Sequence, residues 1–266
     1  MTTKDQRRRE LAREKAKRQE ERRLADEKRR RRRLQIVVAL VVAALVITMV
    51  IGLVTSLSSG SDAGAQPLAG DEALAAGACE YLDNAPSPEL VTDVGRPPTD
   101  PGDLGTVTAV MTLNGEQVTL SLDGSGAPCT VGSWDFLAAN DFFDDTVCHR
   151  LTTSDTLGVL QCGDPSGTGA GGPGYRMAEE NLVDATYPAG TVAMANSGQP
   201  ASTGSQFFLV HSDSVLPPQY TVVGTITDGL DVVEQIAAAG TVDGSTDGAA
   251  AAGADVSDLV VERSGS

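Results

Sequence analysis

The sequence predicts a mainly β domain, a closed antiparallel barrel with two helices, preceded by a single transmembrane helix. Short alternating apolar runs separated by turn residues recur between residues 104 and 263. In that region two segments, 127–143 and 230–239, show helical spacing of apolar residues. An uncharged apolar stretch at residues 34–57 precedes them all.

The segment LQIVVALVVAALVITMVIGLVTSL, residues 34–57, predicts a transmembrane helix. The 22 residues from Ile36 to Leu57 carry no charge, and at about 1.5 Å per residue they span the roughly 30 Å core of a bilayer. Cleaved signal peptides have apolar regions of roughly 7–15 residues. Although Ala63-Gly64-Ala65 would fit a cleavage site, we expect a retained anchor in the plasma membrane. Arg29–Arg33 directly precede it, which predicts a cytoplasmic N-terminus and an extracytoplasmic C-terminal domain.

Charge divides the chain at the same segment. Residues 1–33 hold 16 Lys and Arg against 7 Asp and Glu, and pairs such as Glu14 and Arg18 lie at helical spacing. We interpret residues 1–33 as a basic cytoplasmic helical segment. The rest of the chain holds 4 basic and 29 acidic residues, a formal charge of −25. This charge repels polyanions, so we expect no nucleic-acid partner.

Residues 58–103 have the composition of a connecting region. The first part is rich in Gly, Ala and Ser, and the second in Pro, Asp and Gly. These compositions predict a flexible linker and then an extended segment. The folded domain is therefore expected at residues 104–263.

The first elements of this domain are a hairpin and a helix. Asn114-Gly115 joins two alternating runs in TVTAVMTLNGEQVTLSL, which is a strong hairpin signal. Pro128 suits the first turn of the following helix. Val131, Trp134 and Leu137 then fall on one face of it.

Further strands and a second helix complete the predicted domain. Leu230, Val233 and Ile236 share one face of LDVVEQIAAA, residues 230–239, which predicts a helix. A Gly-rich loop is expected at residues 163–174. The predicted strands lie in TVCHRL, GVLQCGD, GTVAMANSG, SQFFLVH, TVVGTIT and DLVVER.

Several common functional sites are not supported by the sequence. GTGAGG, residues 167–172, has the glycine spacing of a dinucleotide site, but Pro173 and Gly174 follow it instead of a helix. His149 and His211 lack neighbours at metal-ligand spacing, so we expect them to make structural hydrogen bonds. No serine lies in a Gly-x-Ser-x-Gly motif. We expect no metal and no cofactor.

Four cysteines, Cys79, Cys129, Cys148 and Cys162, lie on the predicted extracytoplasmic side, where disulfides form. Three pairings are possible. If Arg150 and the residue before Cys162 face one common site, strand alternation places Cys148 and Cys162 on opposite faces. A Cys148–Cys162 bridge is therefore disfavoured.

Three segments, FFDDTVCHRL, VLQCGDPSGTGAGGPGY and GTVAMANSGQPASTGSQFFLV, carry a resemblance to a known family. They resemble the cyclophilin family of peptidyl-prolyl cis-trans isomerases, over residues 104–263. The most specific match is Met194-Ala195-Asn196 followed by Gly204-Ser205-Gln206-Phe207-Phe208. The resemblance implies an eight-stranded closed antiparallel barrel capped by two helices, with the active face on its outer surface.

The resemblance implies that Arg150 and Gln161 are the catalytic residues. Rotation about an X–Pro amide is slow because its partial double bond gives a barrier of about 20 kcal/mol, but no bond breaks. The twisted amide returns a lone pair to the prolyl nitrogen, which a fixed cation binds better than it binds the planar ground state. Arg150 would be that cation, and Gln161 would orient it. The alternative for Arg150 is a structural ion pair with one of the many acidic residues.

The same resemblance implies a set of substrate-binding residues. Phe208 would wall the proline pocket above an aliphatic floor, and Phe207 would be a core residue instead. A polar segment would hydrogen-bond the extended peptide, and a glycine would let a loop approach it. The substrate-binding residues so implied are Phe208, Ala195, Asn196, Ser197, Gln206, Gly169, Leu216, Tyr220, Val159, Leu157 and Met194.

The chain departs from the family pattern around this pocket. Gly158 stands where an aromatic residue is usual, and Leu157 is expected to turn in to compensate. Val159 replaces a methionine, Val215 aligns with a frequent tryptophan, and Tyr220 aligns with a histidine. We therefore expect a shallower pocket, reduced activity and weak cyclosporin binding.

The resulting hypothesis is a membrane-anchored isomerase that acts on X-Pro bonds of extracytoplasmic proteins and assists their folding. Its expected partners are proline-containing peptides and unfolded secreted proteins, with the membrane contacted through residues 34–57. The alternative is a proline-peptide binding or chaperone module with the same fold and little turnover.

Overall fold

The computed structural model describes residues 78–84 and 88–263. The segments predicted at 1–33 and 34–57, and the linker up to residue 77, lie outside these residues. Within the described ranges no helix is long and apolar enough to cross a membrane.

The described residues form twelve strands, two α-helices and one short 3-10 helix. The helices are α1 (Pro128–Ala138) and α2 (Leu230–Ala238), and the 3-10 helix covers Pro88–Leu90. The strands are β1 (Leu82–Asp83), β2 (Thr106–Leu113), β3 (Glu116–Asp123), β4 (Thr146–Val147), β5 (Arg150–Ser154), β6 (Leu157–Cys162), β7 (Tyr175–Arg176), β8 (Thr191–Met194), β9 (Phe207–Ser212), β10 (Val222–Asp228), β11 (Asp247–Gly248) and β12 (Asp255–Arg263).

Ten of these strands form one curled antiparallel sheet, in the order β11-β5-β6-β9-β8-β10-β3-β2-β12-β4. Eight of them have four or more residues, the number of strands that was expected, and β4 and β11 add two-residue edges. These two edges do not pair with each other, so the prediction of a closed barrel is wrong. β4 lies at one end of the sheet order and β5 near the other, and they are joined by Cys148 and His149, which belong to neither strand.

The predicted hairpin and both predicted helices are confirmed. Asn114 and Gly115 both have positive φ, 51° and 82°, as a two-residue turn that matches the strand twist requires. In α1 the predicted face is fully buried, and the Trp134 ring lies 4.5 Å from that of Phe207 between centroids. In α2, Val233 and Ile236 are buried. The two helices thus cover the core that the sheet curls around.

The N-terminal part of the described chain, where an extended segment was predicted, packs on the sheet domain. A disulfide joins Cys79 to Cys129 at the start of α1. The hydroxyl of Tyr81 donates a hydrogen bond to the carbonyl of Cys129 (3.0 Å), and β1 pairs with β7. We call residues 78–84 and 88–103 the N-terminal strap. It belongs to the domain, whose described residues begin 26 positions earlier than predicted.

The second disulfide, Cys148–Cys162, contradicts the sequence-based argument against it. That argument required strand alternation to continue from Arg150 back to Cys148. Cys148 lies instead between β4 and β5, where its N–H donates to the carbonyl of Ala254. The backbone therefore turns before Arg150, and Cys148 enters the core beside Cys162.

The disulfide between Cys79 and Cys129 should stabilise the domain substantially. Its 50-residue sequence separation corresponds to about 4 kcal/mol of lost loop entropy in the unfolded chain. We expect the double variant Cys79→Ala/Cys129→Ala to lower the free energy of unfolding by about that amount. Urea unfolding monitored by tryptophan fluorescence would measure it, and an unchanged midpoint would contradict the prediction.

Candidate functional site

A row of cross-strand partners crosses the outer face of the sheet. Arg150 on β5 is opposite Gln161 on β6. Gln161 is also opposite Phe208 on β9, and Phe208 is opposite Ala193 on β8. Because directly opposed residues point to the same side of a sheet, four strands place these side chains on one face.

A small apolar cluster lies on this outer face, separate from the main core. Val159, Tyr187, Ala193, Phe208 and Val210 are buried in it. The neighbouring ring of Phe207 packs in the main core, as predicted from alternation along the strand. The outer face therefore has its own apolar packing that supports a site.

An open pocket of about 280 Å³ lies over this cluster. Aliphatic and aromatic side chains line it together with Arg150. All nine lining residues are among those predicted from the sequence. They are Arg150, Leu157, Val159, Gln161, Ala195, Asn196, Phe208, Leu216 and Tyr220.

A second, more polar pocket of about 250 Å³ continues from the first, and the two share Gln161, Ala195 and Asn196. Three further predicted residues, Gly169, Ser197 and Gln206, line it. The N-terminal strap contributes Asn84, which the sequence did not predict. Because they share these three residues, the two pockets together form a continuous groove.

A chain of side-chain hydrogen bonds joins the two pockets. Arg150 Nη1 donates to Gln161 Oε1 (3.3 Å), and Gln161 Nε2 donates to Gln206 Oε1 (2.8 Å). Gln206 Nε2 then donates to the carbonyls of Gly169 (3.1 Å) and Gly171 (3.0 Å). These bonds fix both glutamine amides, so the groove is preorganised between the arginine and the Gly-rich loop.

Asp247 holds the other side of the Arg150 guanidinium. Its carboxylate accepts hydrogen bonds from Nε (2.8 Å) and Nη2 (2.7 Å). The side chains remain 39% and 54% exposed. Hydrogen bonding to Arg150 lowers the pKa of Asp247, and the same bond raises the pKa of Arg150. The ion pair foreseen as an alternative role for Arg150 therefore exists, on a residue that also lines the pocket.

Asp164 anchors the Gly-rich loop. Its carboxylate accepts hydrogen bonds from the backbone N–H groups of Ser166 (2.8 Å), Gly169 (2.6 Å) and Gly171 (3.1 Å). Burial alone would raise the pKa of Asp164, but these bonds and one from the Ser166 hydroxyl outweigh it and lower the pKa. Gly169 has φ of +83°, a conformation open mainly to glycine. The loop is thus held tightly where it borders the groove.

Met194 is the predicted site residue that the structure does not bring to the groove. Its side chain is fully buried in the main core, and the Trp134 indole Nε1 donates to its sulfur (3.2 Å). Ala193 and Ala195 pack with the outer cluster instead. Placing Met194 in the substrate-binding set was wrong because adjacent strand residues face opposite sides.

Tyr187 is a site residue that the sequence reasoning missed. Its ring lies 6.2 Å from that of Phe208 and 6.0 Å from that of Tyr220. Its hydroxyl donates to the carbonyl of Tyr220 (2.9 Å) and accepts from the N–H of the same residue (3.1 Å). Burial raises the pKa of Tyr187. The scarcity of aromatics in the chain, 4% of residues, was the signal that could have drawn attention to it.

The departures around the pocket have structural explanations. A Cβ on Gly158 would lie 1.9 Å from Ser212 Oγ and 2.8 Å from His211 Cε1, so a larger residue there requires these two side chains to move. Leu157 does turn toward the pocket, as expected. Val215 is 80% exposed and does not line the pocket, so nothing fills the position of the frequent tryptophan.

The two histidines differ in their contacts. Nε2 of His211 lies 2.9 Å from the carbonyl of Thr152, which confirms the expected structural hydrogen bond. Nδ1 of His149 has no partner among the described residues, and burial lowers the pKa of its ring. In the same part of the chain, no three His, Cys, Asp or Glu side chains are grouped to bind a metal.

The described residues form a curled antiparallel sheet that carries an apolar pocket and a polar groove on its outer surface. This combination defines the class of protein. The chain belongs to the family described as "Cyclophilin type peptidyl-prolyl cis-trans isomerase/CLD", whose model matches residues 108–256.

Two curated relatives illustrate the similarity. The probable peptidyl-prolyl cis-trans isomerase B of Mycobacterium leprae (strain TN) is 48% identical over 186 residues, which cover 64% of this chain and 62% of that protein. Peptidyl-prolyl cis-trans isomerase B of Bacillus subtilis (strain 168) is 36% identical over 125 residues, covering 46% of this chain and 85% of that protein. The chain thus spans less than two thirds of the length of the mycobacterial relative.

Solved structures share the fold. A crystal structure of a Cryptosporidium parvum cyclophilin type peptidyl-prolyl cis-trans isomerase superposes with a TM-score of 0.53 at 23% identity. The superposition covers 60% of this chain and 99% of the Cryptosporidium chain. A second crystal structure of the same protein, in the presence of the dipeptide Ala-Pro, has a TM-score of 0.51.

The anchoring role of Asp164 can be tested by Asp164→Ala. The change leaves three loop N–H groups without their acceptor, so we expect the free energy of unfolding at pH 7 to fall by about 3 kcal/mol. Because the folded pKa of Asp164 lies below its unfolded value of about 3.9, its stabilisation is complete above about pH 4 and is lost as the pH falls further.

Urea unfolding of both proteins from pH 7 to pH 3 would measure this difference. The two stability curves should approach each other as the pH falls toward 3. Asp164→Asn is the control matched for size. Because its amide keeps one acceptor oxygen, its free energy of unfolding should lie between those of wild type and Asp164→Ala. Equal stability of all three proteins at pH 7 would contradict the assigned role.

Proposed function

We propose that the chain catalyses cis-trans isomerisation of X-Pro bonds. One observation carries this proposal: Arg150, a cation, and the aromatic residue Phe208 line the same pocket. A proline ring needs an apolar pocket, and the bond next to it needs a hydrogen-bond donor that favours the twisted amide. The crystal structure of the Cryptosporidium protein with Ala-Pro supports proline-containing peptides as the substrate class.

The proposed mechanism needs no covalent step. The proline ring enters the pocket between Phe208 and the aliphatic floor at Leu216, which holds it while the preceding carbonyl rotates. As the amide twists, the prolyl nitrogen becomes pyramidal and gains a lone pair. A free N–H of Arg150 donates to that lone pair, which is absent in the planar ground state. This interaction lowers the barrier because it exists only near the transition state.

The guanidinium has donors left for this task. Arginine carries five N–H groups. Asp247 accepts from Nε and Nη2, and Gln161 accepts from Nη1. One N–H on each Nη nitrogen remains for a peptide. Ala195, Asn196 and the neighbouring polar pocket supply further hydrogen-bonding groups along the groove.

We further propose that the domain acts outside the cytoplasm, on unfolded secreted proteins, and is anchored through residues 34–57. The length and lack of charge of that segment, and the arginines before it, support this location. The two disulfides, Cys79–Cys129 and Cys148–Cys162, also support it, since such bonds persist in oxidising compartments.

A second candidate is a proline-peptide binding or chaperone module with little turnover. It is favoured by Gly158, which has no side chain to line the pocket, and by Val215, which is exposed and does not line it. Both leave the pocket with less aromatic surface to hold the proline ring of a peptide. A proline ring that is held loosely is positioned less well for the transition state.

Exchange spectroscopy of a short Ala-Pro peptide by NMR separates these candidates. We expect the wild-type chain to accelerate cis-trans exchange, and Arg150→Ala to lower the acceleration by about 100-fold, the usual cost of one transition-state donor. Arg263→Ala is the matched control because Arg263 also forms an ion pair, with Asp135, far along the chain. It should retain wild-type activity.

Two results would change the conclusion. Acceleration that survives in Arg150→Ala would show that the arginine is not the donor. Peptide shift changes without faster exchange, from a folded wild-type chain, would reject the isomerase and favour the binding module.

A further inference from the structure

We propose that Asp247 is a positioning residue for the isomerisation reaction, which sets the orientation of the Arg150 guanidinium. The inference rests on the proposed function, because it assigns a role to a residue that acts through Arg150. It is motivated by the two hydrogen bonds from Nε and Nη2 of Arg150 to the two carboxylate oxygens of Asp247.

Two hydrogen bonds to one carboxylate fix the plane of the Arg150 guanidinium, which a single hydrogen bond does not. A carboxylate that accepts from Nε and one Nη nitrogen matches the planar fork of arginine and restricts its rotation. The Gln161 bond, at 3.3 Å, is longer and involves one N–H. Asp247 is therefore the stronger of the two constraints on the guanidinium, and with both in place one N–H on each Nη nitrogen stays unoccupied.

Strand pairing holds the backbone of Asp247 in place, so its carboxylate can in turn hold the Arg150 guanidinium. Asp247 and Gly248 form β11, which pairs with β5 at Thr152 and Leu151. Asp247 is thus the diagonal neighbour of Arg150 on the adjacent strand, within reach of a long side chain.

The turn that precedes Asp247 is also closed. The Ser245 Oγ lies 2.8 Å from the carbonyl oxygen of Asp247 and 2.7 Å from Asp243 Oδ1, and either oxygen can accept its single proton. The Thr241 hydroxyl donates to the carbonyl of Ser245 (2.5 Å), and the N–H of Val242 donates to the carbonyl of Ala249 (2.9 Å).

A stabilising role alone does not account for the pair. Both side chains are more than a third exposed, and solvent-exposed ion pairs contribute little to stability. Their effect lies instead in geometry, because a donor that is misplaced by an ångström loses much of its value in the transition state. The negative charge of Asp247 also partly neutralises the guanidinium. If that effect dominated, removing the carboxylate would raise activity, and the experiment distinguishes the two effects.

The experiment compares full-length chains in a mild detergent, using the Ala-Pro peptide as probe. The variants are Asp247→Ala, Asp247→Asn and the control Asp135→Asn, which removes the partner of Arg263 and changes the net charge equally. For Asp247→Ala we expect about a tenfold loss of exchange acceleration, with peptide affinity from shift titration changed less than about twofold, because the arginine acts near the transition state. The exchange acceleration by Asp247→Asn should lie between those of wild type and Asp247→Ala, because its amide oxygen still accepts a hydrogen bond. The control should match wild type.

A double-variant comparison shows whether Asp247 acts through the arginine. In an Arg150→Ala background, the further change Asp247→Ala should have no effect on the residual exchange rate. An independent additional loss would overturn the positioning role.

The remaining outcomes are also decisive. If wild type accelerates exchange and Asp247→Ala is equal or faster, the carboxylate does not position the arginine, and the inference fails while the proposed function stands. If folded wild type gives no acceleration, the proposed function itself fails, and this inference with it.

Discussion

The alternation of side chains along a curled sheet is the constraint on which both the core and the site depend. Each strand that borders the groove serves two environments. On β9, Phe207 enters the main core and Phe208 the outer cluster; on β8, Met194 points inward while Ala193 belongs to the outer cluster. A one-residue shift of register would exchange these sets, so the buried core fixes the register and the register fixes the site. The outer residues therefore inherit their positions from the packing behind them.

The groove is completed by irregular segments that polar contacts hold in place. The Gly-rich loop is fixed from within by Asp164 and from the groove by Gln206. From outside, the N-terminal strap pairs with it: the N–H of Thr92 donates to the carbonyl of Gly172, and the N–H of Gly172 donates to that of Leu90. Loops that carry a site are usually the more mobile parts of a fold. Here three independent sets of hydrogen bonds oppose that mobility, so the polar pocket is largely formed before a peptide arrives.

The sequence was informative where the signals are local. The hairpin at Asn114-Gly115 and the apolar face of α1 depend on residues within one turn or one helix, and both were predicted correctly. The residues around the apolar pocket could be named because their motifs are contiguous. The errors arose where distant segments meet. The Cys148–Cys162 pairing depended on a turn at Cys148 that has no composition signal, and Asp247 lies on a two-residue strand within a run of small residues. The docking of the strap likewise depended on which of three cysteine pairings formed.

The Cys79–Cys129 bond also determines how the domain responds to mechanical load. Tension that enters from the residues before Cys79 and leaves through β12 follows the shortest covalent path, which crosses the sulfur–sulfur bond to the start of α1. The chain between the two cysteines, residues 80–128, holds most of the strap and the β2–β3 hairpin and lies outside that path. Pulling on the N-terminal side would therefore leave the strap against the Gly-rich loop, and the groove would keep its shape under a force that could peel away an unbridged strap.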